Sequence, residues 1–171
     1  LATQEVLRAQ PDGYTVLVGG LAAMAIAPNL SRKFQYDLRK DLTPVVHLAG
    51  NDAFLTVGKS VPATTSADYL AWAKQTQTKL FIADFGAGSY AHFLTQLFGK
   101  KSGIPTEAVH YKNTGEALGD VMTGRTQGAF LSLGPAAAQV EAGNMRILAG
   151  TSPEPLPTLP HVPTFLQLGY P

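Results

Sequence analysis

Gly86-Ala87-Gly88-Ser89, with His92 three residues further on, is a set of residue types suited to holding an anion. Gly86 and Gly88 permit backbone geometry closed to other residues, Ser89 is a good helix N-cap, and Phe93, Leu94, Leu97 and Phe98 recur at helical spacing behind them. Free N–H groups at such a helix start would face a carboxylate or phosphate. The same four residues also make an ordinary tight strand-to-helix turn. Tyr111-Lys112-Asn113-Thr114 adds a phenol, a cation, an amide and a hydroxyl, a combination suited to a small anionic or zwitterionic ligand. Each of these has a plainer reading. His92 can be a satisfied helix residue or can orient the glycine loop through a backbone hydrogen bond. Lys112 can be an exposed strand-end charge, and Tyr111 can wall the core with its ring.

Other chemistries fit poorly. Ser89 as nucleophile with His92 as base would make a hydrolase, but Gly-Ala-Gly-Ser is not the G-x-S-x-G elbow, and no orienting carboxylate is evident. The four histidines, at 47, 92, 110 and 161, show no metal-ligand spacing. With zero cysteines there are no disulfides and no Cys-ligated metal. No cofactor is expected. A net charge of +1 with 15% charged residues gives no basic stripe for nucleic acid.

The elements that must position these residues are those of an α/β domain. Leu80–Ala83 reads as an apolar strand into the glycine turn, and from there the rhythm is regular. Helix 89–99, strand 107–111, helix 114–123, strand 128–133, helix 135–142 and strand 146–150 follow, with Thr114 as a cap, Pro135 at a helix start and Gly124 and Gly143 past helix ends. The alternation predicts a largely parallel sheet. Leu118, Val121 and Met122 share one helical face and read as core. Earlier, Tyr14–Gly19 reads as a buried strand behind the Pro11-Asp12-Gly13 turn, Pro44–Ala49 and Phe54–Val57 as further strands, and Ser66–Gln75 as a helix. The helix-like stretch at Leu1 and the Tyr170-Pro171 stop read as the ends of a fragment. Every apolar run is interrupted before it could span a bilayer. With 171 residues and 45% hydrophobic side chains, one good core or two small ones can be buried. In open α/β sheets ligands bind outside the carboxyl ends of strands, which selects residues 84–89, 111–114 and 132–135.

PDGYTVLVGG, AIAPNL, YDLRKDLTPV, KSVPATTSADYLAWAK, FGAGSYAHFLTQLF, YKNTGEALGDVMTG, MRILAGTS and LPTLPHVPTFLQLGYP occur in the order found in the Bug, or tripartite tricarboxylate transporter, substrate-binding proteins, and the chain resembles that family throughout its length. The resemblance implies a periplasmic-binding-protein-like receptor of two lobes, each a mostly parallel sheet flanked by helices. Such a receptor closes on a small carboxylate, whether a mono- or dicarboxylate, an amino acid or an aromatic acid, and delivers it to the membrane subunits of a transporter. It implies a periplasmic location with a signal peptide upstream, and no enzyme activity. A ligand sensor serving a signalling partner would use the same cleft.

By position, Gly86, Ala87, Gly88 and Ser89 form the second-lobe anion loop with His92 one turn behind. Tyr111 and Lys112 fall on the family's Tyr-Lys, Asn113 adds a side chain at the cleft, and Ala23 falls in the first-lobe contact region. The implied division is a partial first lobe at 1–55, a second lobe at 56–151 and a crossing or hinge segment at 152–171. Leu21, Ala22, Ala23 and Met24 stand where relatives carry hydroxyl and histidine residues, which makes the pocket more apolar. Asp84 stands where small residues are common; it would repel a carboxylate unless it turns away, or would favour a ligand that also carries an amine. His110 stands where proline is frequent. An incomplete first lobe would expose sheet edge and predicts dimerisation or strand exchange.

Overall fold

The computed structural model describes residues 2–20, 24, 26, 36–76 and 78–170. They fall into two compact units, Leu1–Ala49 and Gly50–Pro171. In the first unit, α1 (Ala2–Arg8) and α2 (Leu38–Asp41) bury no residue. Asp37 caps α2 by accepting from the Arg39 N–H at 3.1 Å. The strands expected at 14–19 and 44–49 do not form, and both runs lie open to solvent, Tyr14 at 92% and Val45 at 84% exposure. Ala23, Leu21 and Ala22 lie outside the described residues. The two missing strands have a common cause. β-branched runs such as Thr15-Val16-Leu17-Val18 favour a pleated surface only where a neighbour completes the ladder and covers one face. The described residues of this unit supply no such neighbour.

The second unit is a five-stranded sheet with helices on both faces. Its strands are β1 (Phe54–Gly58), β2 (Leu80–Asp84), β3 (Thr106–His110), β4 (Gly128–Leu131) and β5 (Met145–Gly150), in the spatial order β3-β2-β4-β1-β5. The helices are α3 (Ser66–Thr76), α4 (Tyr90–Ser102), α5 (Thr114–Thr123) and α6 (Leu133–Glu141). β2 runs parallel to β3 and β4, whereas β1 is antiparallel to both β4 and β5. The sheet is therefore mixed. The strand–helix rhythm that begins at β2 sends every later strand the same way, and β1, which precedes that rhythm, is free of the crossover rule and inserts against them.

Strand alternation divides the core into two layers. Leu80 and Ile82 of β2 and Phe130 of β4 meet Tyr69 of α3 and Phe98 of α4 on one face. Ala83, Ala129 and Leu131 meet Ala117 and Val121 of α5 and Ala136 of α6 on the other, with Leu118 and Met122 packed at its margin. The helix ends follow local chemistry. Gly103 and Gly124 close α4 and α5 in the left-handed conformation (φ 70° and 82°) and donate their N–H groups to Gly99 and Val121 carbonyls. Asn113, not Thr114, is the N-cap of α5; it holds the extended geometry (φ −144°, ψ 160°) and accepts from Glu116 N–H at 3.0 Å. Pro135 is the third residue of α6, still in the first turn, where a missing N–H costs no intrahelical bond.

The second unit, Gly50–Pro171, holds β1 between β4 and β5 and includes the segment after β5. That segment packs back on the sheet. Gly150 N–H donates to Pro163 C=O at 3.0 Å, Phe165 N–H donates to Gly150 C=O at 2.8 Å, and Val162 and Thr164 are buried. The Phe165 ring packs 6.0 Å from Phe130 and 6.3 Å from Phe98.

Candidate functional site

Parallel pairing puts the carboxyl ends of β2, β3 and β4 on one edge of the sheet, where Asp84 is in register with His110. Phe54 at the start of β1 pairs with Leu131 and Gly150 there, so β5 ends on that edge as well. The loops that leave it carry the polar groups singled out in the sequence.

In the loop after β2, Gly86 and Gly88 have φ of 113° and 85°, a region that L side chains rarely adopt. This lets the chain fold back on itself, and most of its N–H groups find acceptors inside the loop. Gly86 N–H donates to Asp84 Oδ1 at 2.9 Å, Gly88 N–H to His92 Nδ1 at 3.1 Å, and Ser89 N–H to Gly86 C=O at 3.0 Å. Ser89 caps α4, its Oγ accepting from His92 N–H at 3.2 Å, which leaves its own proton free to donate outward. The expectation of a preformed cluster of free N–H groups therefore narrows to Ala87 and Tyr90, whose N–H groups find no acceptor among the described residues; the Ala91 N–H also lacks one there, but Ala91 is wholly buried.

Asp84 is wholly buried. Its Oδ1 takes the Gly86 N–H and lies 2.5 Å from His110 Nδ1, so the carboxylate turns into the protein and away from the edge. Of the two readings of Asp84 that the sequence leaves open, this orientation agrees with turning away.

Tyr111 leaves β3 with its N–H on Asp84 C=O at 2.9 Å, and its ring packs beside the α5 and α6 layer. Its hydroxyl donates to Asp120 Oδ2 at 2.7 Å. Burial, and after it the hydrogen bond to the Asp120 carboxylate, pushes the Tyr111 phenol up to about 12. Lys112 is exposed and makes no ion pair among the described residues. Asn113 is exposed with its Oδ1 committed to the cap. Ser132 stands at the N-cap of α6 without a capping hydrogen bond, so its hydroxyl adds an uncommitted donor to the edge.

The profile of the tripartite tricarboxylate transporter family receptors matches residues 1–171. The chain belongs to that family. A UPF0065 protein of Bordetella bronchiseptica is 29% identical over 98% of this chain and 49% of its own length. The protein BugT of Bordetella pertussis is 27% identical over 100% of this chain and 53% of its own. Among solved structures, an R. palustris protein with adipate is 34% identical with a TM-score of 0.78, covering 99% of this chain and 57% of that one. MatC of Rhodopseudomonas palustris, with bound malate, is 26% identical with a TM-score of 0.75, over 99% of this chain and 58% of that one. The chain thus spans about half the length of the curated relatives it matches.

Within this family member the predicted residues divide into two groups. Gly86, Ala87, Gly88, Ser89 and His92 lie together in one loop and the helix turn behind it, with Lys112 and Asn113 on the neighbouring loop of the same edge. Tyr111 is on that edge by backbone but directs its hydroxyl to α5. Ser89 and His92 are joined through the His92 backbone N–H, while the ring Nδ1 is occupied by Gly88, so the hydrogen bond of a nucleophile–base pair is not the one present. His110 and Ser132 were not among the predicted contacts. Ser132 had a signal in the same strand-end rule that selected its loop, whereas the Asp84–His110 pairing joins residues 26 apart and has no local signature.

An apolar cavity of about 400 Å³ lies elsewhere, against Leu94, Leu97, Phe98, Phe130, Phe165 and Tyr170. Another, of about 410 Å³, is lined by Gly99, Lys100, Gly103, Ile104 and Thr106 near the opposite edge of the sheet. Neither includes the loop residues above. Among the described residues no cluster of three or more His, Asp or Glu side chains is placed to hold a metal, and no helix is long and apolar enough to cross a membrane.

Proposed function

We propose that this chain is the ligand-binding portion of an extracytoplasmic receptor that captures a small carboxylate and passes it to the membrane subunits of a tripartite tricarboxylate-type transporter. The observation that carries the reading is the family match over the whole chain, in which two solved neighbours hold the dicarboxylates adipate and malate. The chemistry of the sheet edge agrees with it. Ser89 and Ser132 hydroxyls, the N–H groups of Ala87 in the loop and Tyr90 at the start of α4, and the Lys112 cation, which has no ion pair among the described residues, offer donors to a carboxylate, and the acidic side chain nearest the loop, Asp84, is turned inward. Gly86, Ala87 and Gly88 bring the backbone close without side-chain bulk, and Asn113 fixes the neighbouring helix start. A periplasmic location follows from the same role, and one solved neighbour, 29% identical with a TM-score of 0.80, is a periplasmic transporter.

Thermal unfolding in the presence of adipate, malate and their amides tests the reading. A carboxylate at about 100 times its dissociation constant adds roughly 2.7 kcal/mol of apparent stability, and the amides add none. No stabilisation by any mono- or dicarboxylate at millimolar concentration would overturn it. Delivery is tested by carboxylate uptake in cells lacking the receptor: uptake that is lost and then restored by the full-length gene supports transport, and unaltered uptake points to sensing.

A further inference from the structure

Asp84, His92 and His110 converge from three elements: the end of β2, the first turn of α4 and the end of β3. Asp84 Oδ1 holds Gly86 N–H and His110 Nδ1, while Oδ2 is buried with no partner among the described residues. The two imidazoles meet edge to face, centroids 5.2 Å apart. Gly88 N–H donates to His92 Nδ1. A backbone N–H can only donate, so that nitrogen is bare and the proton of the neutral ring sits on Nε2. The glycine loop is thus tied at two points of different chemistry. A carboxylate holds Gly86, and an imidazole nitrogen that accepts in only one protonation state holds Gly88.

We propose that these three side chains form a proton-dependent latch on the glycine loop, in which uptake of a solvent proton on His92 Nδ1 releases the Gly88 N–H. Once both ring nitrogens donate, Gly88 N–H faces a donor where it had an acceptor, and a buried or half-buried donor without an acceptor is unfavourable enough to turn the peptide outward. Gly86 stays tied, because the Asp84 carboxylate accepts whether His110 is neutral or charged. His110 on β3 faces the His92 ring directly, Asp84 on β2 stands behind His110, and the uncharged Phe93 ring lies 5.9 Å away. Release is therefore confined to the Gly88 peptide, next to the N–H groups of Ala87 and Tyr90. It adds one donor to those facing an anion. That last consequence rests on the carboxylate reading of this edge; the latch does not.

The test is NMR on the 15N-labelled protein, following the Gly86 and Gly88 amides and the histidine ring nitrogens from about pH 8 to about pH 5, the interval in which histidine changes charge. The expected result is an upfield shift of the Gly88 amide proton that tracks the His92 ring titration while Gly86 moves little. In His92→Gln the amide oxygen is an acceptor that does not titrate, and the Gly88 step is lost. A Gly88 amide that stays put in the wild type while the His92 ring takes up its proton overturns the latch without recourse to a variant, and so does a step that survives unchanged in His92→Gln. Absence of carboxylate binding at every pH would sink the proposed function and leave the latch to be judged on these resonances.

Discussion

The hydroxyl of Tyr111 donates to Asp120 Oδ2 at 2.7 Å, tying the end of β3 to the helix that follows it, α5. A residue that the sequence marks as a ligand contact therefore has its polar end engaged in joining two elements beneath the site. Asp120 also receives Arg125 at 3.4 Å, an exposed contact that adds little.

Tyr111→Phe keeps the ring and removes the bond, so it lowers stability by about 1 kcal/mol. It also changes the alkaline limb. The folded phenol, at about 12, lies above its unfolded value. Its contribution is complete below the unfolded value near 10 and is lost as pH rises through the folded one. Burial raises the Tyr69 phenol as well, so the wild-type decline contains both tyrosines. Urea unfolding of wild type and variant at a series of pH values isolates Tyr111. Its share is the difference between the curves, expected to shrink between about pH 10 and about pH 12. Parallel curves across that interval would show that the Tyr111 phenol does not titrate with folding.

Ser89 has two separable duties. Ser89→Ala removes the acceptor for His92 N–H and costs about 1 kcal/mol of stability, whereas Ser89→Gly, a tolerable cap, costs a few tenths. If the hydroxyl also donates to a ligand carboxylate, both variants lose the same affinity, about 1.5–3 kcal/mol by calorimetry. Equal affinity for wild type and Ser89→Gly would take Ser89 out of the contact set and leave it as a cap.

What was legible in the sequence is what local chemistry determines. The glycines at 86 and 88, the Ser89 cap, and the glycine ends at 103 and 124 announce themselves within a turn of chain, and His92 reaches back four residues to Gly88, a spacing visible in the sequence. Asn113 and Thr114 are adjacent cap formers, so the choice between them fell to backbone geometry. What was not legible depends on partners distant in the chain. The runs at 14–19 and 44–49 have strand composition but no ladder among the described residues. The direction of β1 is set by β4 and β5, more than 70 residues away. Asp84 shows its charge in the sequence but not its orientation, because His110 lies 26 positions further on.

Gly58 at the end of β1 lies tightly against the backbone of α5. A Cβ there would sit 2.1 Å from the Val121 carbonyl oxygen and 3.1 Å from Met122 Cα, backbone atoms that cannot rotate aside. Gly58→Ala is expected to destabilise the unit by about 1–3 kcal/mol through displacement of the helix. Because α5 begins at the Asn113 cap on the candidate edge, the same displacement disturbs the Lys112 loop. An unchanged denaturation midpoint would mean that β1 and α5 stand further apart than described.

Phe165 tests how the last segment is held. Its ring, together with the Gly150–Thr164 bridge, fastens residues 162–170 over Phe98 and Phe130. Phe165→Ala removes a large apolar side chain from that layer and should cost about 3 kcal/mol, the low end for a phenylalanine because the ring is only partly buried. Proteolysis gives the sharper readout. With the ring gone, the Pro153–Pro163 stretch loses its anchor and cleavage there should accelerate while the sheet stays intact. Cleavage at the wild-type rate, with an unaltered midpoint, would show that the segment is held by its backbone bonds to Gly150 and that the Phe165 ring neither fastens it nor adds measurable packing.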